Sequence, residues 1–128
     1  EMPVQETLDG IAELRALDGI RPGGIIVNMA RPLPLPASEL QAAADGVIDR
    51  DLLALGLKAA GLDDTPALAS GLAMEVSDEA RTALGQQAQQ ARLAAAGQPC
   101  YELPWISDGM DLGGLYRLAS RLKDQRAA

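Results

Sequence analysis

The chain has 128 residues, one domain's length, and 48% of them are hydrophobic, mostly Ala and Leu, with one Trp, two Tyr and no Phe. A net charge of −7 argues against a generic nucleic-acid surface, which needs clustered Lys and Arg. The absence of His excludes Ser–His and Cys–His nucleophile systems and the common histidine metal sites, and a lone cysteine, Cys100, excludes an intrachain disulfide.

The opening Glu1-Met2-Pro3-Val4 puts an acid before the Met and runs straight into a helical pattern, which suggests a piece of a longer protein. Val4, Leu8, Ile11, Leu14 and Leu17 recur at helical spacing, with Pro3 suited to the first turn and Gly19 to the stop. They predict an amphipathic helix of about four turns. Gly24-Ile25-Ile26-Val27-Asn28 then predicts a strand over 24–28, buried on both faces, as in parallel sheets covered by helices. Ligands of open parallel sheets bind outside the carboxyl ends of the strands, where Asn28 would sit. An amide there either turns the chain out of the strand or reads a nucleobase edge, since it both donates and accepts.

Pro32, Pro34 and Pro36 force an extended passage. Residues 32–97 then read as a helical excursion between two strands. Ser38 with Gln41 forms a capping box for a short helix ending near Gly46. Asp49 or Asp51 caps the next, which holds Leu52, Leu53, Leu55 and Leu57 and closes at Gly61. Thr65-Pro66 opens a third reaching about Met74, and Ser77 opens the longest, running to Gly97. Cys100-Tyr101-Glu102-Leu103 predicts the second strand, over 99–103, ended by Pro104. Residues 105–110 form a loop, and Asp111 caps a last helix with Leu112, Leu115, Leu118 and Leu122 on one face. Gly113 and Gly114 in its first turn would allow close approach to a neighbour. Arg117, Arg121, Lys123 and Arg126 read as a solvated end of that helix, suited to its dipole. Cys100 reads as a small buried hydrophobe.

The fold class is therefore α/β but predominantly helical: about two parallel strands with five to six helices, joined by a crossover of about seventy residues. Residues 1–128 form a single partial domain. Two strands are too few for a doubly wound sheet, so apolar strand edges and helix faces should remain exposed. No apolar run approaches membrane-spanning length, and with no secretory signal and one cysteine a cytoplasmic location is expected.

The order of these segments resembles the C-terminal half of the arsenite-pump and tail-anchored-protein-targeting ATPases, deviant P-loop ATPases with a twisted, mostly parallel sheet. Met2-Pro3-Val4-Gln5-Glu6-Thr7 is similar to that family's helix start after a strand end. Gly24-Ile25-Ile26-Val27-Asn28 is similar to its Ile-Val-Asn strand. Leu103-Pro104-Trp105, with Asp111-Leu112-Gly113-Gly114-Leu115 and Leu118, is similar to its last strand, adenine loop and final helix. Residues 32–97 carry little of the likeness.

The resemblance implies that Asn28 contacts the adenine edge and that Pro104, Trp105 and Ile106 form the loop on which the base packs. The indole of Trp105 is suited to cover a π-face, or else to plug the space between sheet and helix. The family's phosphate loop and its Asp-bearing switch segments are absent from this sequence, so no catalytic residue is assigned and the chain alone should not hydrolyse ATP. Gly23-Gly24 precedes a strand and is no phosphate cradle. The intact protein would use ATP or ADP with Mg²⁺, pair with an N-terminal half bearing the P-loop, form a homo- or hetero-dimer, and serve a membrane-protein client or an anion pump. Some family members hold a zinc through a Cys-x-x-Cys pair after the Ile-Val-Asn strand; that region has no cysteine here, so no zinc is expected. The alternative is a non-enzymatic helical interaction domain with no nucleotide site.

Overall fold

A computed structural model describes residues 2–107 and 109–127. The predicted loop at 105–110 includes Asp108, which lies outside the described residues, as does Glu1 of the opening pair. The elements are α1 (Met2–Arg15), β1 (Ile25–Ala30), α2 (Ala37–Ala44), α3 (Arg50–Ala59), α4 (Thr65–Ala94), β2 (Cys100–Pro104) and α5 (Leu112–Asp124). The described residues are thus mostly helical with one parallel pair of strands, consistent with an α/β reading. Contacts divide the chain into two compact units, one of residues 1–32 and 87–128, the other of residues 33–86.

In the first unit β1 and β2 pair in parallel, with Ile25 opposite Cys100, Ile26 opposite Tyr101 and Val27 opposite Glu102. Ile25 on β1 packs with Ile11 of α1 and Leu93 of α4, and Val4, Leu8, Val27 and Cys100 lean on this cluster. Cys100 is half-buried among these side chains. Polar ties fasten the same elements: Arg15 donates to the Ala96 carbonyl (2.7 Å) and Arg92 to the Gln5 side chain (2.7 Å).

The strand prediction needs two corrections. β1 runs on to Ala30, so Asn28 lies inside it and not at its end. It is also buried on one face only: Ile25 packs against α1 and α4 and is 8% exposed, whereas Ile26 on the opposite face is 56% exposed. The first helix stops at Arg15; Ala16 and Leu17 donate back three residues in a tighter turn, so Leu17 lies beyond the helix and is exposed.

The second unit is built on small side chains. Leu40, Ala43 and Ala44 of α2 pack against Ala80 and Ala83 of α4, with Leu35, Ile48, Val76 and Leu84 around them. Ser38 is not a cap. α2 begins one residue earlier, at Ala37, because the fixed φ of Pro36 (−52°) sets an extended residue at the boundary. Gln41 instead donates to the Asp45 carboxylate. Asp49 does cap α3, accepting from the Leu52 N–H at 2.9 Å. Leu52 and Leu55 on α3 are largely exposed.

The two helices predicted over 65–97 are one helix. No proline interrupts the stretch around Ser77, and Ser77 is buried inside α4. Its hydroxyl donates to the Ala43 carbonyl at 2.6 Å, and Arg81 one turn on donates to the Ala44 carbonyl at 3.0 Å. A serine that reads as a helix start therefore satisfies the C-terminal carbonyls of another helix. Ser77→Ala is expected to lower stability by about 1 kcal/mol in urea unfolding, the net worth of one buried hydrogen bond.

Candidate functional site

The parallel ladder carries a bulge where β1 nears its end. Val27 faces Glu102 and Ala30 faces Pro104, so Asn28 and Met29 together oppose a single residue of β2. Met29 takes a left-handed conformation, φ 58°. The Asn28 side-chain oxygen accepts from the Met29 N–H at 2.9 Å, which holds the bulge in place. The amide at 28 thus spends its acceptor on its own backbone and keeps its NH₂ for another partner.

β2 ends on Pro104, and the Trp105 N–H donates to the Ala30 carbonyl at 2.9 Å. That bond carries the ladder one step past the strand and pins the start of the loop, while the indole stays 48% exposed. Two shallow concavities meet at this point. One, of about 250 Å³, is lined by Ala30, Arg31, Pro32, Glu102, Pro104, Trp105 and Arg121. The other, of about 300 Å³, is lined by Pro104, Trp105, Ile106, Ser107 and Arg117.

Three of the four residues proposed for the base, Pro104, Trp105 and Ile106, therefore come together at the carboxyl end of β2. Asn28 lines neither concavity. Arg117 and Arg121 do, and sequence reasoning had read them as solvated cations at a helix end. The signal was their spacing: four residues apart, they share one face of α5, each beside a half-buried leucine, Leu118 or Leu122. Neither forms an ion pair among the described residues. A chain of net charge −7 thus gathers positive charge on both flanks of its one indole.

α5 is fixed at its start. Asp111 caps it, accepting from the Gly114 N–H at 2.6 Å. Gly114 is buried against this cap: an added Cβ would lie 3.4 Å from the Asp111 carboxylate and 3.5 Å from the Met110 sulfur. The close neighbour of the paired glycines is thus the cap itself. Leu112 and Leu115 on this helix are exposed. Gly24 has a packing reason of its own, since an added Cβ would fall 2.5 Å from the Tyr101 ring. Among the described residues no cluster of three His, Cys, Asp or Glu side chains could hold a metal ion, and no helix is long and apolar enough to cross a membrane.

No family model matches the chain. Over 126 residues, 97% of its length, it is 41% identical to ATPase BagA of Mycobacterium tuberculosis and to "Putative ATPase Mb3704" of Mycobacterium bovis. The match covers 36% of each of those proteins, so the chain spans about a third of the length of the curated relatives it matches. It is related along nearly its whole length to proteins named as ATPases.

Met29→Gly is expected to raise stability by about 1 kcal/mol, by removing the left-handed penalty of a side chain at this position. Asn28→Ala is expected to lower it by about 1 kcal/mol through loss of the bond to Met29. Opposite signs in chemical unfolding would establish that the Asn28 amide holds the bulge.

Proposed function

We propose that this chain is the base-recognising portion of an ATP-binding ATPase of the arsenite-pump and membrane-protein-targeting type. The observation that carries the proposal is the 41% identity to proteins named as ATPases across 97% of the chain. The geometry supports it: a half-exposed indole is anchored by its own backbone at the carboxyl end of a parallel strand, where open α/β sheets bind ligands. Pro104, Trp105 and Ile106 offer an apolar platform for a purine face, and Arg117 and Arg121 suit a ligand that also bears negative charge. Asn28 would donate to the purine edge through its free NH₂ group, after a side-chain rearrangement or in company with residues outside this chain.

The residues present fit the base and not the phosphates. Gly23 and Gly24 lead into a strand, and Gly24 accommodates Tyr101, so no Gly-rich loop opens a helix here. The phosphate loop, Mg²⁺ and the hydrolytic step belong in this reading to the remainder of a longer polypeptide. A homo- or hetero-dimer, no bound zinc, a cytoplasmic setting and a membrane-protein client remain parts of the same proposal. The apolar concavity on α2 and α3, lined by Leu35, Ala42, Val47, Ile48, Leu52 and Leu53, is the observation that favours the alternative, an interaction domain without a nucleotide site.

Trp105 is the single tryptophan of these 128 residues, so the part of a fluorescence change that is lost in Trp105→Phe reports on the site. In a polypeptide of the relatives' length containing this chain, ATP should quench that component saturably. Trp105→Ala, followed by a labelled nucleotide, should weaken affinity about tenfold, as expected for loss of one base–aromatic stack. Asn28→Ala should weaken it several-fold. Unchanged ATP affinity in both variants would sink the base site and leave the interaction-domain reading.

A further inference from the structure

α5 has an inner and an outer side. The inner side holds the buried Gly114 and the half-buried Leu118, Leu122 and Gln125. The Gln125 amide fastens that side to β2: its oxygen accepts from the Glu102 N–H and its NH₂ donates to the Glu102 carbonyl, both at 2.9 Å. The outer side is not the polar face that a surface helix shows to water. Leu112, Leu115, Tyr116 and Ala119 recur there at i, i+3, i+4 and i+7, and Lys123 follows one turn on. Leu112 and Tyr116 are each 68% exposed and Leu115 is 54% exposed.

Charge is sorted along the same line. Exposed Lys123, and Arg126 just past the helix end, continue the apolar stripe. The acid of this helix, Asp124, falls outside the stripe at about 100° per residue. The rest of the chain is acidic, the whole having net charge −7. An exposed apolar stripe that ends in cations suits a partner that is apolar along the stripe and negative at its end. An anionic bilayer meets those terms poorly. It is an extended negative plane, and it would repel the acidic remainder of the chain over a Debye length. A slender acidic segment touches the stripe alone.

We propose that the outer side of α5 docks an acidic amphipathic helix of a separate protein. The two helices lie antiparallel. The partner's first turn carries Asp or Glu, where its own dipole favours them, and meets Lys123 and Arg126. Its next turns pack aliphatic side chains on Tyr116, Leu115 and Leu112. Arg117 and Arg121 stand on another side of α5, so the assignment does not depend on the nucleotide reading.

Three probes test it: a synthetic helical peptide with Glu in its first turn and Leu at helical spacing, the same peptide with Lys in place of Glu, and vesicles of anionic phospholipid. Each is offered to the 128-residue chain and to a polypeptide of the relatives' length containing it. The acidic peptide should bind both with Kd of about 100 μM or tighter. Its basic twin should bind at least about tenfold more weakly. Leu115→Ser and Lys123→Glu should each weaken the acidic peptide at least about fivefold. No binding of the acidic peptide, equal affinity for the twins, affinity unmoved by either substitution, or preference for the vesicles would overturn the proposal. So would binding to the short chain alone, since the occupant would then belong to the relatives' own remaining length.

Discussion

The structure hangs on the parallel pairing of two strands that lie far apart in sequence. Parallel neighbours cannot be joined by a tight turn, so a crossover has to leave the end of β1 and return to the start of β2. Residues 31–99 are that crossover, and they are long enough to fold a helical core of their own on the way. The pairing also sets both carboxyl ends side by side. Trp105 can reach back to Ala30 only because the two strands finish together. Without that shared end, Pro104, Trp105 and the arginines of α5 would have no common ground.

The bulge shows how a local departure from regularity serves this arrangement. Two residues of β1 stand against one of β2, which lets both strands finish in register despite unequal lengths. The left-handed Met29 is the strained element, and the Asn28 amide is its brace. A functional assignment for Asn28 has to accommodate this structural duty, because part of its hydrogen-bonding capacity is already committed.

Much of this organisation was legible in the residues. The two strands, the parallel crossover, the Asp49 and Asp111 caps and the exposed helix faces follow from apolar runs, cap residues and the small number of strands. What failed did so for tertiary reasons. Ser77 looks like a helix start because serine caps helices, yet a buried hydroxyl can serve another helix's carbonyl, and nothing local announces that. Ser38 lost to Pro36, whose fixed backbone set the helix boundary first. Ile26 looked buried because three β-branched residues in a row suit a covered strand, and that cover is not among the described residues. At the site, Pro104, Trp105 and Ile106 come forward only through the family resemblance, whereas Arg117 and Arg121 escape notice because a helix end explains them well enough.

The alanine-rich core of residues 33–86 carries a thermodynamic signature. The heat capacity that a protein gains on unfolding scales with the apolar surface it releases, at about 0.45 cal/K/mol for each Å². Ala43, Ala44, Ala80 and Ala83 release far less than leucines would in their places, and among the described residues Leu40 is the one large side chain fully enclosed. A core of this kind gives a shallow, broad stability curve. Its resistance to unfolding changes little between cold and warm.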